Sequence, residues 1–84
     1  MDKKATVTIY SAPWCAFCRM AKEYLKSKKV AFKDIDVEKD ASAAKDIFTK
    51  TGQAGIPVIE IGDAVIIGFD RPKIDSALEQ YNLV

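Results

Sequence analysis

Between Ala5 and Lys28 the apolar spacing changes from every second residue to every third and fourth, and the change falls on Trp14-Cys15-Ala16-Phe17-Cys18. The period of two predicts a strand over Ala5 to Tyr10, with Val7 and Ile9 on one face and Thr6 and Thr8 on the other, ended by Ser11-Ala12-Pro13. The helical period predicts an amphipathic helix from Ala16 to about Lys28. Its apolar face is Phe17, Met20, Ala21, Tyr24 and Leu25, and Arg19, Lys22, Glu23, Lys26 and Lys28 take the other positions. A second strand, Ala31 to Val37, follows through Phe32, Ile35 and Val37. Strand, helix, strand implies a right-handed parallel crossover, and open α/β sheets hold their ligands at the carboxyl ends of strands. The two cysteines, which are all the chain has, stand just after such an end.

The remainder reads in the same way. Asp40 or Ser42 is placed to cap a second helix that reaches about Thr51, buries Ala44, Ile47 and Phe48, and stops at Gly52, a residue suited to the left-handed position past a helix end. Pro57 to Ile61 and Ala64 to Ile67 form a hairpin across Gly62-Asp63. Pro72 fits the first turn of a last helix whose apolar residues are Ile74, Ala77, Leu78 and Tyr81. With 84 residues and no linker or repeat, the expectation is one domain over residues 1–84.

Composition excludes several functions. The chain is 49% hydrophobic and 30% charged, as in soluble globular proteins, and its net charge of +1 with no long basic cluster recommends neither nucleic acid nor a membrane as partner. Met1-Asp2-Lys3-Lys4 leads straight into the first strand with no apolar leader region, so no signal peptide is expected. Without histidine, a zinc site would have to draw on carboxylates or a second chain, and no metal is expected. A structural disulfide closing so short a loop constrains the unfolded chain very little. A catalytic pair in a reducing cytoplasm fits better than a structural bridge in a secreted protein.

The position of the pair carries the chemistry. The unpaired N–H groups of a first helical turn lie at the positive end of the helix dipole, so a thiolate is favoured at Cys15. Cys15, exposed, is then the nucleophile that attacks a disulfide, and Cys18, one turn in and more buried, resolves the mixed disulfide by closing Cys15–Cys18.

Thr8-Ile9-Tyr10-Ser11 followed by Cys15-Ala16-Phe17-Cys18, then Thr51-Gly52-Gln53-Ala54-Gly55-Ile56-Pro57, then Ile67-Gly68-Phe69-Asp70 resemble the glutaredoxin branch of the thioredoxin-like proteins in order and spacing, along nearly the whole chain. The resemblance implies an α/β fold, β-α-β-α-β-β-α, with a four-stranded mixed sheet flanked by three helices. It implies a thiol–disulfide oxidoreductase that acts as a monomer, has no tightly bound cofactor beyond the redox-active Cys15–Cys18 disulfide, and uses glutathione as a co-substrate. It also implies a cis Ile56–Pro57 bond beside the sulfurs. Substrate contacts are expected at Trp14, Phe17, Gln53, Ile56, Pro57, Phe69 and Asp70, with core packing as the alternative for Phe69 and helix capping for Asp70.

Two departures bear on the reductant. Ala12 stands where glutaredoxins usually hold a lysine for a glutathione carboxylate, and Arg71 stands where they carry an acid for the γ-glutamyl amine. Each lost charged hydrogen bond is worth about 1.5–3 kcal/mol. Gly68-Phe69-Asp70-Arg71-Pro72 is also similar to NrdH-type redoxins, which resemble glutaredoxins but are recharged by thioredoxin reductase. That likeness implies thioredoxin reductase as reductant and a disulfide protein such as ribonucleotide reductase as substrate. Ala16-Phe17 matches the usual dipeptide of neither group. The alternatives are a glutathione-dependent glutaredoxin, a glutathione-assisted carrier of a two-iron, two-sulfur cluster, and a non-catalytic interaction domain.

Overall fold

Among the described residues seven short elements succeed one another: β1 (Val7–Ser11), α1 (Ala16–Ser27), β2 (Lys33–Asp36), α2 (Ala41–Thr51), β3 (Val58–Ile61), β4 (Ala64–Ile67) and α3 (Arg71–Gln80). They belong to a computed structural model that describes residues 6–52 and 55–83. The strands form one sheet in the order β2-β1-β3-β4. β1 is parallel to β2, with Tyr10 opposite Ile35, and antiparallel to β3, with Ile9 opposite Ile59. β4 pairs antiparallel with β3 across Gly62-Asp63. This is the thioredoxin-like arrangement, and both the parallel crossover pair and the hairpin follow the residue periods.

Alternation along the strands divides the core in two. Val7, Ile9, Ile59, Ile61 and Ile66 meet Ala21 and Leu25 of α1 and Ile74, Ala77 and Leu78 of α3. On the opposite face Tyr10 and Val58 meet Ala43 and Ile47 of α2. Leu25, Ile59 and Leu78 are fully buried, each worth about 1.5–3 kcal/mol relative to exposure. Among the described residues no helix is long and apolar enough to cross a membrane.

Each helix begins at a side chain that accepts a free backbone N–H: Cys15 for α1, Asp40 for α2 and Asp70 for α3. α2 ends at Gly52 with φ 75°, as its sequence predicts. α1 ends without a glycine. Val30 N–H donates to the Leu25 carbonyl (3.0 Å) and Lys29 N–H to that of Lys26 (2.9 Å), which closes a Schellman motif with Lys29 at φ 61°. Leu83 and Asn82 repeat that pattern after α3.

Several expectations are corrected by packing. β1 runs one residue further than expected, to Ser11, and Ala5 lies outside the described residues. β2 is shorter than Ala31 to Val37, because only Lys33–Asp36 can pair with β1. α2 buries Ala43 and Ile47, whereas Ala44 and Phe48 are exposed, since the sheet covers a narrower stripe than the apolar spacing suggests. On α1 the buried stripe is Cys18, Ala21 and Leu25, which leaves Phe17 and Met20 facing solvent.

Candidate active site

Strand β1 delivers the chain into a tight turn, Ala12-Pro13-Trp14-Cys15, closed by a 3.1 Å hydrogen bond from Cys15 N–H to the Ala12 carbonyl. Cys15 has extended backbone angles, which set it half outside the helix as its cap. Its Sγ accepts the Cys18 N–H at 3.1 Å. The two sulfurs are joined, with Cα atoms 5.2 Å apart, within the range a disulfide spans without moving the backbone.

Cys18 is fully buried and Cys15 keeps 8% of its exposure, so the order of burial is the expected one. Cys15 is nevertheless less open than expected. Its sulfur is turned inward onto Cys18 and its N–H, and the pair is packed against Ala12, Val37 and Ile56.

Ile56–Pro57 is cis, as the family resemblance implies. Pro57 is fully buried and Ile56 is half-buried against the cysteines. The Pro57 carbonyl accepts Gly68 N–H at 2.8 Å, and this bond holds the β4–α3 connection beside the cis-proline loop. Phe69, half-buried there, packs on the main core and meets Tyr24 edge to face at 5.9 Å. Asp70 caps α3 through Lys73 N–H (3.3 Å) and lies 3.9 Å from Lys73 Nζ, so its carboxylate is engaged within its own helix. Gln53 lies outside the described residues.

Trp14 and Phe17 project from the rim, 68% and 61% exposed. The Trp14 indole N–H donates to the Glu38 carboxylate in the turn after β2. Nothing in the sequence marks Glu38 or Val37 as neighbours of the cysteines, because both arrive from β2 through the sheet.

A polar group near the cysteine turn also escaped the sequence reading. Buried Ser11 donates to Asp34 at 2.7 Å, and Lys22, one turn past Cys18, pairs with the same carboxylate at 2.9 Å. Burial pushes the Asp34 carboxyl up, but the hydrogen bonds from Ser11 and Lys22 and the Lys22 charge outweigh it and hold it below its ordinary value.

Comparison with known proteins agrees with this geometry. The glutaredoxin family model matches residues 7–66. A glutaredoxin-like 8.6 kDa protein encoded in a rubredoxin operon of Clostridium pasteurianum is 39% identical over 74 residues, 88% of this chain and 99% of that protein. The crystal structure of the thioredoxin-like protein BC3987 superposes with a TM-score of 0.81 at 32% identity, covering 87% of this chain and all of that one. The glutaredoxin-like NrdH-redoxin of Escherichia coli, described as having a thioredoxin-like activity profile, superposes with a TM-score of 0.79 at 27% identity, covering 84% and 92%. The linked cysteine pair at a helix start, the cis-proline loop beside it and these relatives establish that the chain belongs to the glutaredoxin family and is a thiol–disulfide oxidoreductase.

Proposed function

We propose that the protein reduces disulfides of other proteins through a dithiol cycle and is recharged by thioredoxin reductase. The observation that carries the cycle is the Cys18 N–H held on Cys15 Sγ at the start of α1. In the reduced protein the same N–H and the helix dipole stabilise a thiolate at Cys15, the less buried residue of the pair. That thiolate attacks one sulfur of the substrate disulfide and expels the other as a thiolate, leaving Cys15 in a mixed disulfide. Cys18, fully buried and one helical turn away, then attacks Cys15 Sγ and releases the second substrate thiol. Two electrons and two protons pass to the substrate, and Cys15–Cys18 is left oxidised. Trp14, Phe17 and Ile56 form the substrate contact surface around the reacting sulfurs, Pro57 fixes the course of the Ile56 backbone from within, and Phe69 closes the side beside Gly68.

The reductant reading rests on charges. Ala12 is buried and packed against the cysteines, so no cation stands there for a glutathione carboxylate. Asp70 is engaged as a cap, and Arg71 brings a cation where a glutathione amine would sit. The likeness to the NrdH-redoxin, with its thioredoxin-like activity profile, favours the same reading. A shared iron–sulfur cluster would draw on one cysteine and one glutathione thiol per protomer; the residues here fit that set poorly, and no step of the cycle runs through it.

The test supplies NADPH with thioredoxin reductase in one arm and NADPH with glutathione and glutathione reductase in the other, and follows reduction of a protein disulfide. Turnover is expected in the first arm; turnover confined to the second overturns the reductant assignment.

A further inference from the structure

On a helix, positions i, i+3 and i+7 form one stripe, and on α1 this places Phe17, Met20 and Tyr24 in line. Their spacing is that of a core face, yet Phe17 is 61% and Met20 47% exposed. Large apolar side chains left open beside a reactive centre mark a surface that another molecule covers. The Tyr24 end of the stripe abuts α3 and the loop before it: Tyr24 meets Phe69 at 5.9 Å, and its hydroxyl donates to the Asp75 carboxylate.

Two cations gather at the far end. The Arg71 guanidinium lies 4.8 Å and the Lys28 ammonium 5.5 Å from the centre of the Tyr24 ring. Among the described residues neither has an ion-pair partner; the pairs formed are Lys22–Asp34, Lys50–Glu60 and Lys73–Asp70. A guanidinium stacked on a ring keeps N–H donors along its edge, in the geometry that takes a carboxylate through two hydrogen bonds.

We propose that the Phe17–Met20–Tyr24 ridge and the Arg71 guanidinium at its end bind an extended acidic segment of the disulfide protein reduced at Cys15. The ridge spans about 10 Å between residues 17 and 24, a distance covered by about three extended residues. The carboxylate that meets Arg71 therefore stands at least three residues from the reacting cysteine, and the apolar side chains between lie on Phe17 and Met20. This rests on the dithiol reading above and specifies its substrate class.

The test uses the reduced protein, freed of reductant and mixed in stopped flow with two peptides. Each peptide carries an intramolecular disulfide, and they differ only in bearing glutamates or lysines three and four residues beyond it. Fluorescence of Trp14, the single tryptophan, reports closure of Cys15–Cys18 as the peptide leaves as a dithiol. At low ionic strength the glutamate peptide is expected to half-saturate at a concentration about fivefold lower than the lysine peptide, as befits one exposed charge pair. The gap narrows at high salt. Arg71→Gln removes the preference and Arg71→Glu reverses it, while Met20→Ser weakens both peptides alike. Equal half-saturation in the wild-type protein, or a preference unchanged in Arg71→Glu, overturns the proposal. Failure of the wild-type protein to reduce bis(2-hydroxyethyl) disulfide instead overturns the dithiol reading beneath it.

Discussion

Cys15 combines three features in one residue: helix cap, hydrogen-bond acceptor and the less buried member of the pair. In the proposed cycle Cys15 supplies the attacking atom, so Cys15→Ser is expected to abolish disulfide reduction. Cys18→Ser leaves attack possible but not resolution, so a covalent mixed disulfide with a substrate should accumulate and be visible by mass spectrometry. A fully active Cys15→Ser protein would refute these roles. A second residue-scale prediction concerns Lys29, whose φ of 61° is costly for a side chain with a Cβ. Glycine takes that angle freely, and the Schellman hydrogen bonds, made by backbone atoms, survive the change. Lys29→Gly should therefore stabilise the fold by about 0.5–1 kcal/mol, net of the entropy glycine adds to the unfolded chain. Urea denaturation measures it, and an unchanged or lower midpoint would count against the argument.

At the scale of elements, the β3–β4 hairpin and the end of α3 are fastened together. Gly62 turns the hairpin with φ 59°, and a Cβ there would lie 2.5 Å from the Tyr81 ring. The Tyr81 hydroxyl accepts Asp63 N–H at 3.0 Å across the same contact. Gly62→Ala meets both a forbidding backbone angle and an occupied space, so it should cost about 2–4 kcal/mol. Tyr81→Ala relieves only the second, and in the double variant the Gly62→Ala penalty should shrink to the backbone share. A penalty equal in both backgrounds would show that the ring contact plays no part. Asp70 is likewise an element-scale residue: its carboxylate starts α3, which positions Arg71 and, through Gly68, the wall beside the cis-proline loop.

For the whole molecule, pH dependence follows from pairs that join separate elements. Asp34 is held below its ordinary value by Ser11 and Lys22, although burial works against them. Its contribution is therefore complete above about pH 4 and is lost as pH falls through its lowered folded value. On the other face, burial first and Glu60 second raise the Tyr10 hydroxyl, and the hydrogen bond to Glu60 raises Lys50. Those contributions are complete below about pH 10 and fade as pH rises through the raised values. A plot of urea midpoint against pH should thus fall off toward acid through Asp34 and toward alkali through Tyr10 and Lys50. Asp34→Asn should flatten the acid limb and Glu60→Gln the alkaline one; an unchanged acid limb in Asp34→Asn would remove Asp34 from the account.

Local chemistry was enough to write the order of elements, because strand and helix periods, Asp40, Gly52, Gly62 and Pro72 each act on their own few residues. The pair Cys15–Cys18 was legible for the same reason: two cysteines with two residues between them at a helix start is a local geometry. Lys29 was not, since its left-handed angle is imposed by Val30 packing with Leu25 in the main core rather than by any preference of lysine. Nor was the exposure of Phe17, Met20 and Phe48, whose spacing is indistinguishable from that of buried neighbours until the width of the covering sheet is known. Which apolar residues face solvent, which carboxylates are spent as caps, and which cations converge on Tyr24 depend on chain segments far apart in sequence. Local residue patterns were enough to write the redox chemistry, whereas the shape and charge of the surface around it came from packing, which decides what each side chain meets.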